Sequence, residues 1–208
     1  QNNIEFSSNV SSLFTLVEDC IQYGTIPFSI LARHGFIAKT ILLSLEHLGI
    51  ITNDEINHFQ ATIQTVASDL VDDMRSLQLG ELTMVEFMLR FGHLRPGTYD
   101  ITSQRYSQMY DISKGISLPQ QENEVEPFKF SKKQHRQVNM LLTDNGFSDF
   151  KANDLLNYMR EATIGREYGK FVFTRSVSNM LELIANFAKE SGLSRDEISH
   201  ISLNSILD

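Results

Sequence analysis

Apolar residues recur along most of this chain at the spacing of amphipathic helices, and the helix ends carry explicit signals. Four segments have the capping-box pattern, in which Ser or Thr precedes Glu or Gln by three residues. They begin at Thr52, Thr83, Ser131 and Ser194. Glycines follow several predicted helix ends, where a left-handed residue needs no Cβ. They are Gly24, Gly49, Gly80, Gly92, Gly146 and Gly192.

These signals predict an all-α fold, a multi-helix bundle with long antiparallel helices and one irregular polar loop. The predicted helices cover 10–23, 26–48, 53–79, 84–91 and 132–145, and a long helical segment covers 150–191. Apolar residues surround most of the second helix, so we expect it to be central and buried. The third has a nearly heptad-like stripe, which predicts antiparallel packing on the second. Gly165 and Gly169 predict a break, a kink or a close helix contact in the long segment.

The segment 112–130 interrupts the helical pattern with two prolines, a glycine and a polar acidic run, which is typical of a linker. We therefore interpret 1–208 as a single helical domain with two lobes, about 1–111 and 131–208, joined by this loop. The chain does not begin with Met, and we expect it to be a fragment of a larger multidomain protein.

Composition narrows the function classes. The chain has 208 residues, 41% of them hydrophobic, and a net charge of −8, which argues against a nucleic-acid partner. The single Cys20 cannot form an intrachain disulfide, and the first residues lack a signal-peptide pattern. The most apolar run, 36–45, is short and contains Lys39. We expect a cytoplasmic protein without a membrane partner.

One polar stretch, 91–106 (FGHLRPGTYDITSQRY), differs from the helical pattern around it. A helix that ends at Gly92 would favour a charged imidazole at His93. The run from Arg95 to Thr98 predicts a type II turn with positive φ at Gly97.

That turn would project His93 and Arg95 on one side and Tyr99 and Asp100 on the other. Two Arg side chains in an acidic protein suit a small anion such as phosphate or carboxylate. The alternative is that Asp100 pairs with Arg95 or Arg105 and only stiffens the loop.

Two motifs resemble those of phosphoenolpyruvate-synthase-like enzymes, a family of phosphotransferases that also includes rifampicin phosphotransferase. The run GHLRPGTYDI, 92–101, is similar to the family motif G-H-R-G-P-G-E-x-D-L. The run REYGKF, 166–171, is similar to R-E-Y-P-K-F. The resemblance covers roughly 32–203. Leu94, Arg95 and Thr98 depart from the first motif and Gly169 from the second, so a rifamycin-like substrate is not supported.

The resemblance implies that this chain is the helical middle region of such a protein, which binds or positions a phosphorylated or acceptor substrate and is not catalytic alone. The implied partners are an ATP-grasp domain and a swivelling phospho-histidine domain of the same full-length protein. ATP and Mg²⁺ would bind on those domains, and no cofactor is expected in this chain. The implied substrate-binding residues are His93, Arg95, Tyr99, Asp100, Arg166 and Lys170.

Other polar residues support weaker hypotheses. Arg166 and Lys170 lie four apart on one helical face, which is either a pocket wall or a solvated surface. Arg33 and His34 fit a satisfied core network or a pocket wall. Six scattered histidines do not have the spacing of a metal site. The competing function is a helical protein–protein interaction module with a structural polar loop.

Overall fold

The computed structural model describes residues 10–109 and 126–207, and these ranges contain helices and no strand. The helices are α1 (Val10–Asp19), α2 (Ile26–His47), α3 (Asn53–Ala61), α4 (Val66–Leu79), α5 (Met84–Phe91), α6 (Lys132–Asp144), α7 (Ala152–Glu190), α8 (Arg195–Ser199) and α9 (Leu203–Leu207). The predicted all-α class is confirmed. The antiparallel packing of the second and third predicted helices stays a prediction. Most of the predicted linker, 112–125, lies outside the described residues.

Local capping decides where several helices begin and end. All four predicted capping boxes form, with the hydroxyl and the acid or amide both bonded. Four glycines have the predicted positive φ: Gly49, Gly80, Gly146 and Gly192. Two predicted left-handed caps are wrong. Gly92 has a φ of −59°, and Gly24 lies inside a continuous helical path.

A π-helical turn, Cys20–Thr25, joins α1 directly to α2. A Cβ at Gly24 would lie 3.1 Å from Cβ of Phe173, so this glycine permits a close contact instead of a chain reversal. The stretch Ser12–His47 is therefore long and apolar enough to cross a membrane by length and composition, with 22% of its most apolar window buried. The prediction that the chain has no membrane-spanning helix therefore stays a prediction. A core helix passes the same test, and the cytoplasmic location stays a prediction.

The predicted continuous helix over 53–79 is interrupted. The hydroxyl of Thr62 donates to the Phe59 carbonyl at 2.9 Å where α3 ends. The backbone N–H of Thr65 donates to the Ser68 hydroxyl at 3.4 Å where α4 begins. These local bonds replace the helical ladder between Ala61 and Val66.

The chain forms two compact units, each assembled from separate segments. Unit 1 contains 1–27, 70–117 and 170–208, and unit 2 contains 28–69 and 118–169. These units do not coincide with the predicted lobes 1–111 and 131–208. The difference arises because each unit takes residues from both halves of the sequence.

The core of unit 2 joins α2, α3, α6 and the first part of α7 around Phe59, Val138 and Met159. The prediction that the second helix is central and buried is wrong. Only Gly35, Ala38, Leu42 and Leu45 of α2 are buried. Phe36 is 58% exposed and Leu43 is 49% exposed, because the helix packs along one stripe and leaves apolar side chains on its opposite face in solvent.

Helix α7 is unbroken from Ala152 to Glu190. Of the three predicted outcomes for its glycines, the close helix contact is confirmed. A Cβ at Gly169 would lie 2.7 Å from Cδ1 of Leu31 on α2. A side chain at this position would therefore require the Leu31 side chain to move.

Two adjacent leucines on α2 test this one-sided packing. Leu42→Ala should lower the free energy of unfolding by about 2–5 kcal/mol, because Leu42 is 5% exposed and its removal leaves a cavity. Leu43→Ala is the matched control and should change it by less than about 1 kcal/mol. Urea denaturation measures both, and equal losses would contradict the described packing.

Candidate functional site

The polar stretch of unit 1 closes on itself as a compact loop. The N–H of Tyr106 donates to the Leu94 carbonyl at 2.8 Å, and the N–H of Ser107 donates to the Gly92 carbonyl at 3.1 Å. The predicted type II turn at Arg95–Thr98 is wrong, because Gly97 does not have a positive φ. The turn lies further along, where the N–H of Asp100 donates to the Gly97 carbonyl at 3.0 Å.

Arg95 holds this loop in place from inside the fold. Its side chain is 1% exposed. Nη1 donates to the carbonyls of Asp100 and Ser103, at 3.3 and 3.0 Å. Nη2 donates to the carbonyl and hydroxyl of Ser178, at 3.3 and 3.0 Å, and to Oε1 of Glu182 at 3.0 Å. Because both terminal nitrogens are bonded within the protein and the side chain has almost no exposed surface, Arg95 is not accessible to a substrate.

Ser178 and Glu182 lie one turn apart on α7 and collect the other polar groups. The Ser178 hydroxyl donates to the His93 carbonyl at 2.7 Å and accepts from Nε of Arg105 at 3.0 Å. Glu182 Oε2 accepts from Arg195 at 2.7 Å. Gln108 donates to the same oxygen at 2.6 Å. This arrangement, with Arg95, is called the Glu182 cluster below.

The Glu182 cluster has an excess of positive charge. Arg95 and Arg195 contact the carboxylate, and Nε of Arg105 lies 3.8 Å from it, so three cations share one anion. Burial raises the pKa of Glu182, but hydrogen bonds from Arg195 and Gln108 outweigh burial and the pKa lies below its ordinary value. Glu182 therefore stays ionised, and the surplus charge is positive.

His93 is neutral, which contradicts the predicted imidazolium. Burial, followed by the positive charge of Arg175, lowers its pKa from 6.5 to about 4. Its ring packs against Phe171 with ring centroids 4.8 Å apart, and Nε2 has no hydrogen-bond partner. Desolvation outweighs the helix-end carbonyls, so His93 is a packed residue of the interior.

Tyr99 and Asp100 occupy the exposed end of the loop. Tyr99 is 62% exposed and lines an apolar cavity of about 280 Å³ together with Ile101 and Leu181. Asp100 pairs with neither Arg95 nor Arg105 through its carboxylate. Oδ1 accepts instead from the N–H and hydroxyl of Thr102, at 2.8 and 2.7 Å, and these bonds lower the pKa of Asp100.

The second motif, REYGKF at 166–171, has residues in both units. Arg166 belongs to unit 2, where its guanidinium lies 5.1 Å from the centre of the Phe36 ring and its side chain is 40% exposed. Lys170 is exposed and belongs to unit 1. In unit 2, Nδ1 of His34 bonds the Tyr158 hydroxyl at 2.9 Å. The loop residues and Lys170 thus belong to one unit and Arg166 to the other.

A polar cavity of about 350 Å³ adjoins the Glu182 cluster. Its lining includes Arg195 and Lys189 as cations, Glu182 as the anion, and the polar side chains of Gln108, Asn186 and Ser194. Arg195 is 29% exposed and already oriented by its bond to the Ile101 carbonyl at 2.8 Å. A small anion is the ligand that this combination suits.

Most of the Glu182 cluster was not predicted. Ser178 and Glu182 are polar residues at an i, i+4 spacing within an apolar part of α7. Residues at this spacing lie on the same helix face, so two polar residues there could have indicated a buried polar contact. Arg195 follows the Ser194 cap directly, and nothing in its local sequence indicates a long-range partner.

Comparison with known proteins gives no match. No family model, no curated protein and no solved structure matches this chain. The similarity of 92–101 and 166–171 to phosphoenolpyruvate-synthase-like motifs therefore stays a resemblance between short segments. What the site can bind is judged from its own contacts.

Arg95→Met tests whether the loop depends on the buried guanidinium. We expect a loss of about 3–5 kcal/mol in the free energy of unfolding, because the carbonyls of Asp100, Ser103 and Ser178 lose their donor. Arg136→Met, which replaces an exposed arginine of α6, is the control and should cost less than about 1 kcal/mol. Chemical denaturation of each variant measures the difference. A loss as small as that of the control would show that the loop is held by other contacts.

The lowered pKa of His93 predicts acid sensitivity. Between pH 6.5 and about 4 the unfolded chain binds a proton at His93 that the folded chain does not, so stability falls as pH decreases. The loss should reach roughly 3 kcal/mol near pH 4. His93→Gln should remove this part of the pH dependence, whereas His200→Asn, on an exposed turn, should not. Denaturation curves across this pH range measure the free energy of unfolding of each variant. If its pH dependence in His93→Gln equals that of the wild type, the buried neutral imidazole is contradicted.

Proposed function

We propose that this chain is the helical region that binds and positions an anionic substrate in a phosphotransferase of the kinase type, similar to phosphoenolpyruvate-synthase-like enzymes. It is not catalytic alone. The observation that carries the proposal is the polar cavity beside the Glu182 cluster, where the surplus charge is positive although the whole chain has a net charge of −8.

The cavity suits a phosphoryl or carboxylate group in a specific way. Arg195 and Lys189 supply positive charge, and Gln108, Asn186 and Ser194 supply neutral hydrogen-bonding groups. Cations that neutralise the oxygens of a phosphoryl group are the main contribution a protein makes to phosphoryl transfer. Asp100 belongs to the same unit, and in this proposal its exposed carboxylate would orient an acceptor hydroxyl.

This assignment changes the residues expected to contact substrate. Arg95 and His93 are positioning residues, because both are buried and act through the loop. The substrate-contacting cations of unit 1 are Arg195 and Lys189. ATP and Mg²⁺ would bind to ATP-grasp and phospho-histidine domains of the full-length protein, as the resemblance implies.

A helical interaction module is the second candidate, and it has an observation of its own. Val85 and Leu89 lie one turn apart on α5 and are 69% and 76% exposed, although both are apolar. Arg95 would then serve only to stiffen the loop. Anion binding distinguishes the two candidates, because an interaction module needs no cationic cavity.

Calorimetric titration with phosphate and with phosphoenolpyruvate tests the proposal. We expect saturable binding of at least one of them, and Lys189→Gln and Arg195→Gln should each weaken it about tenfold, the effect of losing one charge-assisted contact. Lys132→Gln removes an exposed cation of unit 2 and should leave the affinity unchanged.

The same variants should lower the turnover of the full-length enzyme. Absence of heat and of a thermal shift with both anions, together with unchanged turnover in Lys189→Gln, would overturn the proposed function in favour of the interaction module.

A further inference from the structure

Unit 2 contains a second recess whose chemistry is the opposite of the polar cavity. Helices α2 and α6 and the first part of α7 border an apolar cavity of about 620 Å³. Ile41 and Leu45 come from α2, Leu141 and Leu142 from α6, and Leu155 from α7. Sites for small molecules commonly enclose roughly 300 to 1,000 Å³ and are mainly apolar. The cavity therefore has the size and lining of a ligand site.

The lining excludes a charged ligand. Among the described residues that border the cavity, none is Asp, Glu, Lys, Arg or His. An ionised group placed there would lose its hydration without gaining a partner of opposite charge. The ligand class is therefore uncharged.

The few polar side chains of the lining already have partners within the protein. The hydroxyls of Thr40 and Ser44 donate to α2 carbonyls at 2.9 and 2.8 Å. Nδ2 of Asn145 donates to the Leu141 carbonyl at 2.8 Å, and the Tyr158 hydroxyl bonds His34 at 2.9 Å. The hydroxyl hydrogens of Thr40 and Ser44 are therefore already used within α2. Most of the lining is apolar, so apolar contact is the main interaction that it offers to a ligand.

The mouth of the cavity is also apolar. Ile37, Leu48 and Phe147 border it and are 48%, 57% and 60% exposed. We propose that this cavity binds an uncharged, apolar small molecule, whose burial would remove these side chains from water. The inference goes beyond the proposed function, because it uses no residue of unit 1 and no anion.

A fluorescence titration of the full chain with N-phenyl-naphthylamine, an uncharged dye that brightens in apolar surroundings, tests the inference. We expect saturable binding of one dye per chain. Ser44→Trp should weaken it at least about tenfold, because an indole at this exposed lining position occupies the recess. Leu43→Trp is the matched control, since the adjacent residue is exposed but does not border the cavity, and the dye should bind to it as to the wild type.

Two further measurements keep the test decisive. Leu48→Asp places a charge at the exposed mouth and should weaken dye binding even if Ser44→Trp folds poorly by circular dichroism. Saturating phosphate should leave dye binding unchanged, so failure here is distinguishable from failure of the anion site. Dye binding that does not saturate, or that both variants leave intact, would mean adsorption to the exposed apolar side chains of α2 and would overturn the inference.

Discussion

Burial of the Arg95 guanidinium is the constraint on which the polar loop depends. A charge that is 1% exposed is tolerated only when it is paired and its donors are bonded. Both terminal nitrogens of Arg95 meet this requirement with groups from the loop and from α7, and of the guanidinium nitrogens Nε alone has no partner in the described part of the chain. The loop, Ser178 and Glu182 must therefore keep their positions together. The two ends of the loop are joined, because the N–H groups of Tyr106 and Ser107 donate to the carbonyls of Leu94 and Gly92. A change at Arg95 therefore affects the whole loop.

The features that were predicted correctly are those that depend on neighbours in sequence. A capping box satisfies its own backbone donors within four residues, and all four boxes form. Gly24 and Gly97 show the limit of this reasoning. Gly24 allows the close approach of Phe173, and Gly97 has no left-handed backbone. The exposure of α2 has the same origin, because apolar periodicity indicates which faces can pack and not how many neighbours are present.

The candidate site was predictable only in its location. The loop was recognised from its unusual polarity, but the role of Arg95 depends on Ser178, which is 83 positions away in sequence. The same long-range burial reverses the expected charge of His93, since loss of hydration outweighs the nearby helix-end carbonyls. Local sequence specifies which side chains are polar. Tertiary contacts decide which of these side chains are hydrogen-bonded inside the protein and which remain accessible to a ligand.

A structural role for the loop and a binding role for the cavity beside it are compatible. An arginine that is already oriented loses less conformational freedom when it binds an anion than a mobile surface arginine does. Arg195 is oriented by the Ile101 carbonyl and by Glu182, and Ile101 belongs to the loop that Arg95 fixes. Arg95, which is buried, thus helps to preorganise Arg195, which is partly exposed. The motif that draws attention in the sequence would then contribute to binding through Arg195, a residue outside the motif, and not through its own arginine.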